Sequence, residues 1–288
     1  MKMESSDSFL TDDKFEPDVK LFEQNVVDGS QLIDTHVPRY LDKHLFVATP
    51  NMGEIKLSCV KSLLELQSLC LSPDINIIPQ FHMVRSSIII TGRNMCVQAF
   101  LKSRCSHMLF VDSDIEFDAP SILMMMKANK DIVLTPYPMK AVNWDKARDM
   151  AEKSGRPIEE CPYYYCMEFP DKNNIESIDG LVEIKKGPAG CMLIKREVFE
   201  KMIKAYPNLL IKQKHLVNGI MGGTEEMWNF FDTEFNEETG DFVGEDYAFC
   251  NRWTAIGGKI YANVDAYITH HGDFAYRGRF IDEGRKIK

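Results

Sequence analysis

The sequence has no C-x-x-C pair, no apolar run long enough to span a bilayer and no excess of positive charge. Each absence removes a class. Eight cysteines are present, at 59, 70, 96, 105, 161, 166, 191 and 250, but they are scattered, and most sit among apolar residues as in "LSCVKSLL" and "NMCVQAF". Such spacing indicates neither a zinc module nor a disulfide framework, and it fits reduced, buried thiols in a cytosolic protein. No stretch approaches the roughly 18 consecutive apolar residues of a membrane span. The opening "MKMESSDSFLTDDKFEPD" is acidic and lacks the apolar core of a secretory signal, so a cytoplasmic location is expected. With 34 Lys and Arg against 43 Asp and Glu, the net charge is −9 and the pI about 5.4. A binder of duplex nucleic acid would carry a basic surface, so no such partner is expected. Any anionic ligand must be held by local devices: a metal ion, a few Arg or Lys, or helix N-termini.

What is present reads as an α/β protein. The chain has 288 residues, 44% of them apolar and 27% charged, enough for a sizeable core. Residues 1–42 hold ten Asp or Glu against four Lys or Arg with weak periodicity, and are expected to form an acidic, partly disordered arm. From His44 onward short apolar runs alternate with helical patterns. "HLFVATPN" is a strand, and "GEIKLSCVKSLLELQSLC" sets Leu57, Val60, Leu64 and Leu71 along one side of a helix. "INIIPQF", "HMLFVDSD" and "DIVLTPYP" supply three more strands, separated by helical "GRNMCVQAFLKSRC" and "APSILMMMKANK". That rhythm predicts a doubly wound, mostly parallel sheet, whose ligands sit outside the carboxyl ends of the strands. After about residue 140 the pattern becomes mixed, which predicts a smaller mixed sheet there. The expected division is a nucleotide-binding half at 43–140 and an acceptor-binding half at 141–288 of one catalytic domain.

The most informative stretch is "HMLFVDSDIEFDAP", residues 107–120. Met108 to Val111 reads as a buried strand, and an extended chain beyond it sets Asp112 and Asp114 on one side with Ser113 opposite. Two such charges repel unless something positive lies between them, and a hard divalent cation holding a diphosphate would do so. The plain alternative is an Asp-rich turn and a helix cap. Three further motifs bear on the choice: Arg93 and Asn94 in "TGRNMCVQAFL", the glycines of "GPAGCMLIKREVF", and "GEDYAFCNRW" followed by "HHG".

Together these motifs resemble the nucleotide-diphospho-sugar glycosyltransferases of the GT-A fold, a Rossmann-like architecture. The resemblance runs from about residue 44 to 279 and is nearest to compact family-2-like enzymes of phages and other viruses, for which the location would be the host cytoplasm. It implies that Asp112-Ser113-Asp114 is a D-x-D motif whose acids hold manganese or magnesium on the donor diphosphate, with His270, in a His-x-Gly with Gly272, near the metal. It implies that Thr49 and Pro50 cradle the nucleoside and that Arg93 and Asn94 contact the nucleotide. Gly187 to Gly190 would lie beside the donor sugar, and Glu245-Asp246 would face the acceptor. "YPMK" at 137–140 resembles a Tyr-Pro-x-Lys element without an assigned role.

The chemistry behind these roles stands apart from the name. Expelling a nucleoside diphosphate builds negative charge, which a divalent cation stabilises as a Lewis acid. If the anomeric centre inverts, the acceptor hydroxyl needs a base, for which Asp246 is the candidate and Glu245 an orienting neighbour. Both acids could instead cap a helix, and Arg93 could pair with an acid structurally. A neutral imidazole at His270 is a suitable third ligand beside two carboxylates. Trp144, Tyr163, Tyr164 and Tyr165 could stack on an acceptor sugar or pack internally. The expected activity is metal-dependent hexosyl transfer from a UDP-linked donor to a glycan or glycoprotein hydroxyl, with inversion at the anomeric centre. The alternatives are a nucleotidyltransferase, whose glycine-rich loop after the first strand is not matched by "ATPNMGEIKL" of this chain, and a catalytically silent carbohydrate- or nucleotide-binding module.

Overall fold

Alternation along β1 (Leu41–Asn51) sets the architecture. Leu45 and Val47 point to one face, Phe46 and Ala48 to the other, and all four are buried. A strand that is apolar on both faces needs cover on both. In β3 (Cys105–Val111) Met108 and Phe110 extend the Phe46 face, and Leu109 and Val111 extend the Leu45 face. Helices α1 (Leu57–Cys70) and α3 (Ala119–Lys127) cover the Leu45 face through Leu63, Leu66, Ile122 and Met125. The Phe46 face is covered by α2 (Ile89–Lys102), α5 (Arg196–Ala205) and α6 (Glu245–Ala255), through Phe100, Phe199, Phe249 and Trp253. Each such side chain contributes about 1.5–3 kcal/mol by leaving water. The sheet is doubly wound, as the alternating pattern predicts.

This computed structural model describes residues 41–155, 157–158, 163–171, 173–212, 216–217, 220–221, 226–283 and 287. The expected arm therefore lies outside the described residues except for Leu41 and Asp42, which open β1 three residues ahead of the expected start at His44. With β2 (Ile78–Arg85), β5 (Ile132–Leu134), β8 (Ser177–Ile178), β9 (Leu181–Ile184), β10 (Cys191–Lys195) and β11 (Ile260–Asn263), the central sheet has eight strands in the order β2-β1-β3-β10-β5-β11-β9-β8. β1 pairs in parallel with β2 and β3, and β5 with β11. β10 runs antiparallel between β3 and β5, and β9 runs antiparallel to β11 and β8. Six strands thus share one direction.

Beside this sheet, β4 (Ile115–Phe117), β12 (Ile268–His271) and β13 (Ala275–Gly278) form a three-stranded sheet that is antiparallel throughout, where a mixed one was expected. β6 (Pro138–Val142) pairs with β7 (Tyr163–Tyr165), and α4 (Trp144–Ser154) follows β6. Among the described residues after α5, two-residue ladders join 210–211 to 227–228, 216–217 to 220–221 and 234–235 to 242–243. No described helix is long and apolar enough to cross a membrane. The described cysteines are free thiols, all buried except the half-buried Cys166; Cys161 lies outside the described residues.

Two local details depart from the pattern read in the sequence. The apolar side of α1 is turned outward: Leu57, Leu64 and Leu71, which follows the helix, are 83%, 59% and 55% exposed. Cys59, Ser62, Leu63, Leu66 and Cys70 face the sheet instead. Leucines are frequent on both sides of this helix, so spacing alone could not choose the buried side. The second detail is a cap. Arg196 at the start of α5 is buried and donates to the carbonyls of Phe100, Leu101, Ser103 and Cys105, at 2.8–3.1 Å. It adds a charged donor to the carbonyls at the end of α2 and at the start of β3.

Candidate active site

The D-x-D segment is a turn. β3 ends at Val111, and Ile115 N–H donates to Asp112 O at 3.1 Å, closing the chain over Ser113 and Asp114. The extended alternation expected for 112–114 does not occur, and the two acids reach different partners. β10 starts where β3 ends, and Asp112 N–H donates to Gly190 O at 2.9 Å. Lys56 N–H donates to Ser113 O, and His271 N–H to Asp114 O, both at 2.8 Å, so neighbouring elements anchor the turn from two sides.

Asp112 belongs to Arg93. Nη2 of Arg93 donates to Oδ2 of Asp112 at 3.0 Å. Nη1 also stands 3.0 Å from Oδ1, but the angle is wrong for a hydrogen bond, so that contact is one of charge only. Nε of Arg93 donates to Oε1 of Glu245 at 3.3 Å, and the guanidinium lies over the Phe110 ring. Burial opposes the charge on Arg93, while Asp112 and Glu245 more than offset this and hold it ionised. The residue sits a full turn inside α2, not at the helix start, and is 3% exposed. A nucleotide contact from its side chain is therefore not what this arrangement displays; it ties β3 to α6.

Asp114 faces the other way. Its Oδ2 accepts from Lys140 Nζ at 2.5 Å, and its Oδ1 lies 3.6 Å from His270 Nε2, longer than a hydrogen bond. Burial acts to raise this carboxyl, yet His270, when Nε2 also bears a proton, and Lys140 outweigh it and hold the group down at about 2. His270 Nδ1 is 2.9 Å from Pro138 O, an atom that can only accept, so Nδ1 carries a proton. In the neutral ring Nε2 is then a lone pair directed toward a carboxylate. The adjacent His271 points to Glu116, at 2.8 Å.

Asp246 lies in the first turn of α6, with Oδ1 accepting from Tyr247 N–H at 2.8 Å. Burial, and after it the charge of Glu245, pushes its carboxyl up to about 6. Asp246, His270, Tyr137, Met139, Lys140, Cys166 and Pro188 line one cleft of about 240 Å³. Tyr137 packs edge-on against the His270 ring at 4.9 Å, and burial raises its hydroxyl well above the ordinary value. A Cβ at Gly190 would come within 2.6 Å of Tyr137 Oη and 2.8 Å of Asp112 Oδ2, so only glycine lets β10 approach this closely. Another hollow of about 210 Å³, between Phe169 and Glu183, contains none of these residues.

The structure thus brings Asp112, Asp114, Gly190, Glu245, Asp246 and His270 to one end of β3, with Arg93 beneath them and Ser113 half-buried at the turn. Thr49 and Pro50 are buried near the carboxyl end of β1, with Thr49 1% exposed and one residue past Ala48, which pairs with Phe110 of β3. Other expected residues take different places. Asn94 donates to Asn229 Oδ1 at 2.8 Å and accepts from Phe231 N–H at 3.1 Å, clamping the 229–231 loop. At Gly187 a Cβ would meet the Leu134 side chain at 2.7 Å, so this glycine serves core packing. Sequence reasoning singled out "YPMK", with Tyr137, Met139 and Lys140, without assigning it a role, touched Pro188 only within Gly187 to Gly190, and did not place Cys166 at a site.

Among the described residues no three His, Cys, Asp or Glu side chains are gathered to hold a metal ion. The donor set nevertheless fits one at Asp114 and His270. Nδ1 of the imidazole is fixed by a backbone carbonyl, as metal-binding histidines usually are, which leaves Nε2 and Oδ1 facing each other as two acceptors. Magnesium-like cations commonly take one or two protein ligands and complete their shell with substrate phosphate and water.

No protein-family model matches the sequence, and no curated protein matches it. Among solved structures, the chain is similar to A197 from STIV at 17% identity and a TM-score of 0.46, over 84% of this chain and 92% of that one. It is also similar to a putative glucose-1-phosphate thymidylyltransferase from Bacillus anthracis, at 11% identity, TM-score 0.37, over 79% and 89% of the chains. A 4-diphosphocytidyl-2C-methyl-D-erythritol synthase from Anaerococcus prevotii follows at 10% identity, TM-score 0.30, over 58% and 78%. With TM-scores below 0.5, none of these overlaps bears on the chemistry, which rests on the residues of the site.

Proposed function

We propose that the protein is a metal-dependent glycosyltransferase that moves a sugar from a nucleotide-diphospho-sugar, UDP-linked donors favoured, to a hydroxyl of a glycan or glycoprotein. One observation carries this reading. Asp246, which lines the cleft, is pushed up to about 6, while Asp114, which meets the cleft residues Lys140 and His270, is held down at about 2. Separated pairs of this kind divide labour between a permanent anion and a proton acceptor.

Asp114 and His270 are the residues that would hold manganese or magnesium, and the ion would supply Lewis-acid stabilisation for the departing diphosphate. Asp246 accepts the proton of the acceptor hydroxyl. Its raised pKa makes it a stronger base than an ordinary aspartate while leaving it mostly ionised at neutral pH. Glu245 raises Asp246 by its charge and is itself held in place by Arg93. Asp112 fixes the other side of Arg93 and is left out of the metal set. Ser113 and Gly190 are the donor-side candidates, because both lie at the turn that bears the acids. Tyr164 shares the face of β7 opposite Tyr163 and Tyr165, which pack on Tyr276 and Phe280. Tyr164 and Trp144, 50% and 56% exposed, are the rings offered to an acceptor sugar.

A silent binding module is the second reading, favoured by the fact that both acids of the turn already have a cation from the chain itself, Arg93 and Lys140. Isothermal titration with UDP, with and without Mn2+, followed by donor hydrolysis, separates the two. Metal-dependent binding with hydrolysis supports the enzyme; binding without turnover over a donor panel supports the module. UDP affinity untouched by a chelator would remove the metal from the account.

A further inference from the structure

Lys140 has no place in the chemistry above, yet its position is built. It sits on β6, the strand whose Pro138 carbonyl orients His270, and its ammonium rests on the carboxylate that faces that ring. Its stem lies along Gly272, where a Cβ would come within 3.0 Å of Cδ. Lys140 also lines the cleft that contains Asp246. At 40% exposure the side chain has water beside it. Lysine is a compact charge on a flexible stem, able to change partner by rotating its own bonds.

We propose that Lys140 is a resident cation that holds Asp114 until a divalent ion arrives and then moves to the phosphates of the bound nucleotide diphosphate. The inference rests on the metal reading proposed above. Two cations compete for one oxygen: while Nζ is on Oδ2, Asp114 is neutralised from within, which lowers its attraction for a metal. Released, the ammonium stays at the cleft and meets the nucleoside diphosphate, which, once free of its sugar, carries more negative charge than a single metal ion cancels. A cleft of about 240 Å³ is smaller than the roughly 300–1,000 Å³ usual for bound small molecules, and withdrawal of this side chain enlarges it. Lys140 is thus a phosphate-binding residue in the loaded state and a placeholder in the free one.

The two halves predict changes of opposite sign. Lys140→Met keeps the stem on Gly272 and removes the charge. In titrations with Mn2+ alone it should bind the metal about tenfold more tightly than the parent, because Asp114 has lost its competitor. In titrations with UDP at saturating Mn2+ it should bind about tenfold more weakly, because a charged hydrogen bond to phosphate is gone. Lys140→Arg, which keeps a cation on Asp114, should bind Mn2+ no more tightly than the parent. Circular dichroism of each variant checks that the fold is retained. An unchanged or weakened Mn2+ affinity in Lys140→Met overturns the placeholder role, and an unchanged UDP affinity overturns the phosphate contact. If parent and variants alike fail to bind Mn2+, the metal reading itself fails, and this inference with it.

Discussion

Nε2 of His270 stands 3.6 Å from Oδ1 of Asp114, while Nδ1 of the same ring is committed to the carbonyl of Pro138. Two acceptors face each other across a gap that suits a cation or a proton. Replacing either residue should therefore act on metal binding first. His270→Ala and Asp114→Ala are each expected to weaken Mn2+ binding by at least about 10–100-fold, the loss typical of even outer-shell partners. Mn2+ titrations check this, with thermal melts to show that the turn after β3 still folds.

Arg93 carries a different expectation. Its side chain is 4% exposed, and it pairs with Asp112 and Glu245, themselves mostly sheltered. Removing one member of such a network leaves charges buried without a partner. Arg93→Met should lose about 3–5 kcal/mol of stability in urea denaturation. A near-neutral change would mean that water replaces the guanidinium at little cost and that the tie between β3 and α6 is dispensable.

Asp246 sets a pH dependence with a definite sign. A base titrating at about 6 predicts turnover that falls as pH drops through that value. Its effect on stability runs separately. Between the ordinary 3.8 and about 6 the folded protein binds this proton more readily than the unfolded chain. Stability from this group therefore falls as pH rises across that window, and the penalty is complete above it. Asp114 acts in reverse: its contribution is present above 3.8 and is lost as pH falls toward about 2. Asp246→Asn should cost two to four orders of magnitude in turnover, roughly the range for a general base, yet add on the order of 1 kcal/mol at pH 7.5. Proton NMR of the product should show the anomeric configuration opposite to that of the donor; retention would move the base elsewhere.

Tyr164 and Trp144 should act on the acceptor. Each change to Ala is expected to raise acceptor KM about three- to tenfold, with kcat less affected. Equal KM values in parent and variants would return these rings to the role of ordinary surface residues.

How much of this was readable beforehand follows from the range of each signal. The doubly wound core was legible because β1 and β3 alternate two apolar faces within a few residues, as Leu45, Phe46, Val47 and Ala48 show. Asp114, Asp246 and His270 stood out because acids and a His-Gly pair follow apolar strands or open a helix. The roles of Arg93 and Asn94 were not legible: their partners Glu245 and Asn229 lie 152 and 135 residues away. The antiparallel entry of β10 between β3 and β5 was likewise hidden, since a strand reads the same in either direction. The turn at 112–115 was present beforehand only as the alternative to an extended end, because an Asp-Ser-Asp sequence suits both, and the choice is made by contacts with Gly190, Lys56 and His271.

The most direct test of the central claim is the nucleoside diphosphate released from a panel of nucleotide sugars, with Mn2+ and after its removal by a chelator. The account predicts release from at least one donor, UDP-linked sugars first, that stops with the chelator and falls in Asp114→Ala. Release that continues undiminished without the metal, or none from any donor while UDP still binds, would contradict it.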